Sequence, residues 1–231
     1  MKRNRLISLI TNGVLALVLA VLATVCFLPD AKSVSGGGDG TYRKGTGEGV
    51  SLMINVYWGT ETVLKMLDVL DEYKATATFF LGGCWADDNV ACVKEIAARG
   101  HEIGSHGYFH RDHSKMNYKE NVEEIAHSVE FISLASGKPV TLFAPPSGAY
   151  HEETVNAAQA LSLKTVLWTK DTVDWRDKDE NICYERATKE VTAGYLVLMH
   201  PMEHTLAALP RILRHYRETG LKTISVGENL G

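Results

Sequence analysis

The sequence predicts an α/β fold: an irregular (β/α) barrel of about seven parallel strands, preceded by one N-terminal transmembrane helix. Three observations predict it. Short runs rich in β-branched and aromatic residues alternate with stretches whose apolar residues recur at helical spacing, the pattern of successive βα units. The strand runs are apolar along their whole length, as befits strands covered on both faces of a parallel sheet. A separate apolar run stands at the very start of the chain, behind a cluster of basic residues.

That first segment comprises the basic Met1–Arg5 and the run Leu6–Leu28, apolar apart from Ser8, Thr11, Asn12, Gly13 and Thr24. A bilayer core needs ~20 apolar residues. A basic flank keeps the amino terminus inside and places the rest of the chain outside. The expectation is a single-pass, membrane-anchored protein with an extracytoplasmic domain. The rival is a secretory signal cleaved near Ala31-Lys32-Ser33, which would leave the domain secreted. A lipoprotein site at Cys26 is disfavoured by the bulk of Val25 before it. Residues 29–49 contain seven glycines among Ser, Thr, Asp and Lys, and read as a flexible linker. Residues 50–231 then form one domain, with no repeat or second linker inside it.

Within the domain, Val50–Val56 reads as a buried strand. Thr60 can cap a helix carrying Val63, Leu64, Met66, Leu67, Leu70 and Tyr73. Thr76–Leu81 is a strand, Val90–Ala97 a helix stopped by Gly100, and His101–Gly104 a short strand. Val122–Ile132 marks a long helix ending at Gly137, followed by the strand Thr141–Phe143. Glu152–Leu161 is a helix and Lys164–Trp168 a strand; a helix over Ile182–Thr192 leads to the strand Tyr195–Met199. A last helix, Leu206–Glu218, precedes a strand over Lys222–Val226.

Composition excludes several classes. Hydrophobic residues make up 45% and charged residues 23%, with six prolines, so the 231-residue chain is neither disordered nor collagen-like. Residues 29–231 carry 21 Lys and Arg against 28 Asp and Glu, a formal charge of −7, which argues against a nucleic-acid partner. Four cysteines are too few for a disulfide scaffold. Cys84 and Cys92 could pair in an oxidising compartment or be small buried thiols; Cys183 reads as core.

The chemistry-bearing residues come directly after the strands. Asn55–Trp58 ends the first, Ser105–His110 follows the third, Ala144–Gly148 the fourth, Asp171–Trp175 the fifth, and His200 the sixth. Groups at the carboxyl ends of successive parallel strands share one rim, where barrels place their sites. Taken singly, each has a plainer reading as a helix-end histidine, a rigid Pro-Pro turn or a capped turn over an indole.

In these motifs the sequence resembles the polysaccharide deacetylase family, the NodB-homology domain of carbohydrate esterase family 4. The resemblance runs through Ala77-Thr78-Phe79-Phe80, Gly100-His101-Glu102-Ile103-Gly104-Ser105-His106-Gly107-Tyr108-Phe109-His110, Pro145-Pro146-Ser147-Gly148, Asp171-Thr172-Val173-Asp174-Trp175 and Leu196-Val197-Leu198-Met199-His200-Pro201, in that order. It implies hydrolysis of an acetamide in an N-acetylated cell-envelope glycan such as peptidoglycan. It also implies zinc or another divalent metal that polarises the carbonyl and orients water. His106 and His110 match the metal histidines and His200 the general acid. Asp171 matches the carboxylate that tunes the acid. Trp175 matches a groove aromatic, and the backbone of Tyr108 an oxyanion donor.

The departures from the family pattern are grouped. Where the family has Thr-Phe-Asp-Asp-Gly, this chain has Asn55-Val56-Tyr57-Trp58-Gly59. The catalytic base is thus replaced by Tyr57 and a metal ligand by Trp58. The arginine that holds the base is replaced by Ala144. A phenol with an ordinary pKa near ~10 is a poor base at neutral pH, and indole offers a metal no lone pair. Glu61 is the nearest alternative carboxylate, better explained by charge stabilisation at a helix start. Three readings are open: a deacetylase with altered metal binding, an impaired relative that binds glycan, and a tethered partner in envelope or spore assembly. Activity by the family's route is expected to be weak or absent.

Overall fold

The computed structural model describes residues 38–231. Among these residues there are nine strands: β1 Thr41–Tyr42, β2 Gly49–Val56, β3 Ala77–Leu81, β4 Glu102–Ser105, β5 Leu142–Phe143, β6 Lys164–Val166, β7 Lys170–Asp171, β8 Leu196–Met199 and β9 Lys222–Thr223. The helices are α1 Thr60–Tyr73, α2 Gly83–Asp88, α3 Val90–Ala98, α4 Tyr118–Ser136, α5 Glu152–Ala160, α6 Asp174–Asp177, α7 Glu180–Thr188, α8 Glu203–Glu218 and α9 Val226–Leu230. The strands run β1-β6-β5-β4-β3-β2-β8-β7, every neighbouring pair parallel, with β9 beside the start of β2. The chain just beyond β1 meets the residues that lead into β8. Lys44, just past β1, bridges Tyr195, just before β8, and Gly45 N donates to Gly194 O at 2.8 Å. The sheet is thereby drawn into an irregular (β/α) barrel.

Side-chain alternation separates two cores. Leu52, Ile54 and Val56 of β2, Ala77, Phe79 and Leu81 of β3, and Val197 and Met199 of β8 pack outward under the helices. Met53, Phe80, Leu142, Val166, Leu196 and Leu198 fill the barrel interior. The same period of two aims Asn55 inward at the end of β2 and His200 inward just beyond β8.

The structure corrects several expectations. The ordered fold begins before Val50: Thr41 and Tyr42 pair with Thr165 and Val166, so the end of the expected linker is a strand. Its glycines allow close approach, since a methyl group on Gly45 would overlap the backbone carbonyl of Asn229. Thr60 is not a cap. Gly59 holds the N-cap position with φ +77°, and Thr60 Oγ1 instead donates to Asn89 Oδ1 at 2.7 Å. The last strand stops at Thr223, and Val226 opens a helix capped by Ser225. Cys84, Cys92 and Cys183 are all free thiols, so the alternative pairing of Cys84 with Cys92 is not formed. No helix among the described residues is long and apolar enough to cross a membrane, and the apolar run 6–28 lies outside those residues.

Candidate active site

A pocket of about 430 Å³ opens at the carboxyl ends of the strands, lined by Asn55, Trp58, His106, His110, Ser147, Trp168, Asp171, Trp175, Leu198 and His200. The strand ends named from the sequence therefore converge. A second cleft of about 470 Å³, bounded by Tyr73, Lys74, Arg217 and Lys222, lies at the other end of the barrel, away from these groups.

His106 follows β4 and is 3% exposed. Its Nδ1 lies 2.7 Å from the carbonyl oxygen of Ala144, so Nδ1 carries the proton and donates, leaving Nε2 with a free lone pair. Burial, and then the neighbouring His110, push its pKa down to about 3, which keeps the ring neutral. His110 turns back toward it through a left-handed backbone, φ +54°, and the two ring centres are 5.1 Å apart. Burial also lowers the pKa of His110.

His200 stands across the pocket, held by a carboxylate. Its Nδ1 donates to Asp174 Oδ1 at 2.8 Å and its backbone N–H to Asp174 Oδ2 at 2.7 Å. Thr205 Oγ1 adds a third bond to the same carboxylate at 2.7 Å. Burial alone would raise the pKa of Asp174, but the bonds from His200 and Thr205 hold it below the ordinary value. The direct partner of the candidate acid is thus Asp174 and not Asp171, as the motif had suggested. Asp171 lines the pocket and accepts from Val173 N at 2.7 Å; burial pushes its carboxyl pKa up. Between the two acids, Val173 takes a left-handed conformation, φ +51°, which is strained for a β-branched residue. That turn swings Asp174 beneath His200. The two acids three residues apart were visible in the sequence, but the turn that chooses between them was not.

Two of the three replaced positions carry aromatic rings. The Trp58 indole lies parallel to the His200 imidazole, 5.9 Å between centres and 5° between planes, and remains 42% exposed. Tyr57 packs over Gly82, with its ring 4.9 Å from that of His110. Burial and then Cys84 push its phenol pKa upward, further from use as a base. Glu61 is fully exposed and paired with Lys65 at 2.8 Å, outside the pocket. Trp175, 52% exposed, lines the pocket as expected of a groove aromatic. Tyr108 does not line it. The Tyr108 backbone N–H donates to Glu124 Oε1 at 3.0 Å, so it is not free to serve as an oxyanion donor, and its ring covers Gly83 beside a shallower cleft.

The residues present do not fit a three-ligand metal centre. His106 and His110 offer two imidazole nitrogens, and the third position holds an indole. Among the described residues no group of three His, Cys, Asp or Glu side chains is placed to hold a metal ion. Sequence reasoning also left several pocket residues without a role, among them Asn55, 3% exposed, whose Oδ1 has no hydrogen-bond partner.

The family model for polysaccharide deacetylase matches residues 43–166. The chain belongs to the polysaccharide deacetylase family. It is 36% identical over 179 residues to the uncharacterized protein YlxY of Bacillus subtilis, covering 78% of this chain and 56% of that one. With a peptidoglycan-N-acetylglucosamine deacetylase of Bacillus cereus it shares 31% identity over 172 residues, covering 72% of this chain and 80% of the relative. Among solved structures it is similar to a CE4 family pseudoenzyme from Bacillus anthracis, at TM-score 0.79 and 31% identity over 82% of this chain and 68% of that one. A mutant of that pseudoenzyme, equally similar at TM-score 0.79, has restored enzymatic activity. This chain spans little more than half the length of the Bacillus subtilis relative.

Proposed function

We propose that this polysaccharide deacetylase relative binds N-acetylated cell-envelope glycan in the strand-end pocket, and that its hydrolysis of the amide is weak or lost. The observation that carries the reading is Trp58, an indole stacked on His200 where the family's metal-binding carboxylate would stand. With Tyr57 protonated and Ala144 in place of an arginine, neither a base nor its orienting cation is supplied. His200 keeps the Asp174 partner that a proton donor needs, but a positioned acid alone does not generate the nucleophile. The remaining groups suit binding. Trp58 and Trp175 present broad exposed indole faces, apolar surfaces of the kind that sugar rings cover, beside polar groups that fix orientation. The Bacillus cereus relative is a peptidoglycan-N-acetylglucosamine deacetylase, and peptidoglycan is the glycan class proposed here. The domain would meet it outside the membrane, on the strength of the basic flank and apolar run of residues 1–28.

The test measures zinc content, acetate release from N-acetylglucosamine oligomers, and oligomer binding by calorimetry. The natural domain should bind oligomers, take up little zinc, and release acetate ~10²–10⁴ more slowly than the Bacillus cereus relative. Tyr57→Asp with Trp58→Asp should raise zinc affinity, and Ala144→Arg should then raise turnover. Trp58 is partly exposed, so its replacement costs less stability than a core truncation. Turnover by the natural domain at the relative's rate would defeat the reading. Absence of any oligomer binding would leave a partner role in envelope or spore assembly.

A further inference from the structure

We propose that Asn55 is a specificity residue of this pocket, reading the acetamido group of the bound sugar; the inference rests on the glycan-binding reading above. The inward-facing side chains of β2 are Ser51, Met53 and Asn55. Ser51 is satisfied by Ser225 O and by Asn229 Nδ2, and Met53 lies in the apolar barrel interior. Asn55 alone reaches the pocket. It is 3% exposed, yet its Oδ1 has no partner. A buried amide oxygen left unpaired carries a cost comparable to a lost hydrogen bond, and native proteins keep few such groups. One at the floor of an open pocket is explained by a donor that arrives with a ligand.

The surroundings decide which donor. Asn55 is an uncharged amide. Leu198 and Trp168 add apolar surface to the same lining. A neutral group that offers one N–H and a methyl meets all of these: the acetamido N–H donates to Asn55 Oδ1 while the methyl covers Leu198 and Trp168. An ammonium, as in the de-N-acetylated sugar, would have to leave its hydration shell for an uncharged amide flanked by apolar side chains. Asp171 on the pocket wall is the one carboxylate that could receive it, and the free-amine sugar therefore forms the second arm of the test.

Chitin oligomers and their fully de-N-acetylated counterparts are titrated against the natural domain, Asn55→Leu and Asn55→Asp, with thermal unfolding to establish that each variant is folded. The natural domain should prefer the N-acetylated oligomer by tenfold or more. Asn55→Leu, of nearly the same shape, should weaken that oligomer about tenfold and leave the free-amine oligomer within about twofold. Asn55→Asp should reverse the preference. The side-chain amide resonances of Asn55 in the natural domain should shift with the N-acetylated oligomer and not with the other, which requires no variant. If the oligomers bind but neither variant changes their ratio, the role of Asn55 falls while glycan binding stands. If the natural domain binds neither oligomer, the glycan reading falls and the role of Asn55 with it.

Discussion

His101 shows how one buried side chain ties stability to pH. It is 5% exposed, with its ring edge against Phe79 at 5.3 Å between centres. Ala77 N donates to its Nδ1 at 3.4 Å, so the proton sits on Nε2, where no partner meets it. Burial lowers its pKa; the Asp71 charge opposes this, and the nearby Arg99 charge adds a smaller lowering. In the unfolded chain a histidine titrates near ~6.5. Below that pH the unfolded state takes up a proton that the folded state resists. The stability contributed by the neutral ring is therefore present above about 6.5 and lost as pH falls through and below it. The thermal midpoint should decline between about pH 7.5 and 5, and His101→Gln should decline less steeply. Equal slopes would show that the ring titrates freely in the folded state. Side chains of this kind set how much of the site could be read in advance. His106, His110, His200 and Trp175 were legible because short motifs fix both residue type and strand end. Asp174 was not, because a left-handed valine decides which acid meets His200. Asn55 was in view but had no role until the structure showed its oxygen unpaired.

At the level of strands and helices, β2, β3 and β8 were legible because apolar runs buried on both faces leave little ambiguity. β1 and β7, two residues each, carry no periodicity and escaped. The misread linker has a physical cause: glycine is frequent in mobile tethers and equally where two backbones touch. Gly45 touches Asn229, and Gly194, φ +86°, packs against the carbonyl of Gly45. If residues 41–49 close the barrel, added bulk at Gly45 must push the seam apart. Gly45→Val should therefore cost about 1–3 kcal/mol in urea unfolding, the usual penalty for overpacking. Exposed Glu48→Ala, three residues on, should be nearly silent. A silent Gly45→Val would return the segment to the status of a tether.

For the chain as a whole, the fold separates the pocket from the point where the polypeptide joins the barrel. β1 runs parallel to its neighbour β6, so the chain arrives at the amino ends of the strands while the pocket opens at their carboxyl ends. The charge is divided in a similar way. Lys2, Arg3 and Arg5 precede the apolar run, and residues 29–231 carry −7. Basic residues beside an apolar segment hold that flank on the cytoplasmic side, while a long domain on the other flank translocates largely regardless of its own charge. We therefore expect the domain on the outer side, whether residues 6–28 remain as an anchor or are removed as a signal. Full-length protein carrying a C-terminal epitope, expressed in intact cells, should lose the epitope to external protease, or release it to the medium if the segment is cleaved. A cytoplasmic control protein should stay whole. Epitope retained in the cells and protected until they are lysed would reverse the topology, and would also remove the domain from the glycan it is proposed to bind.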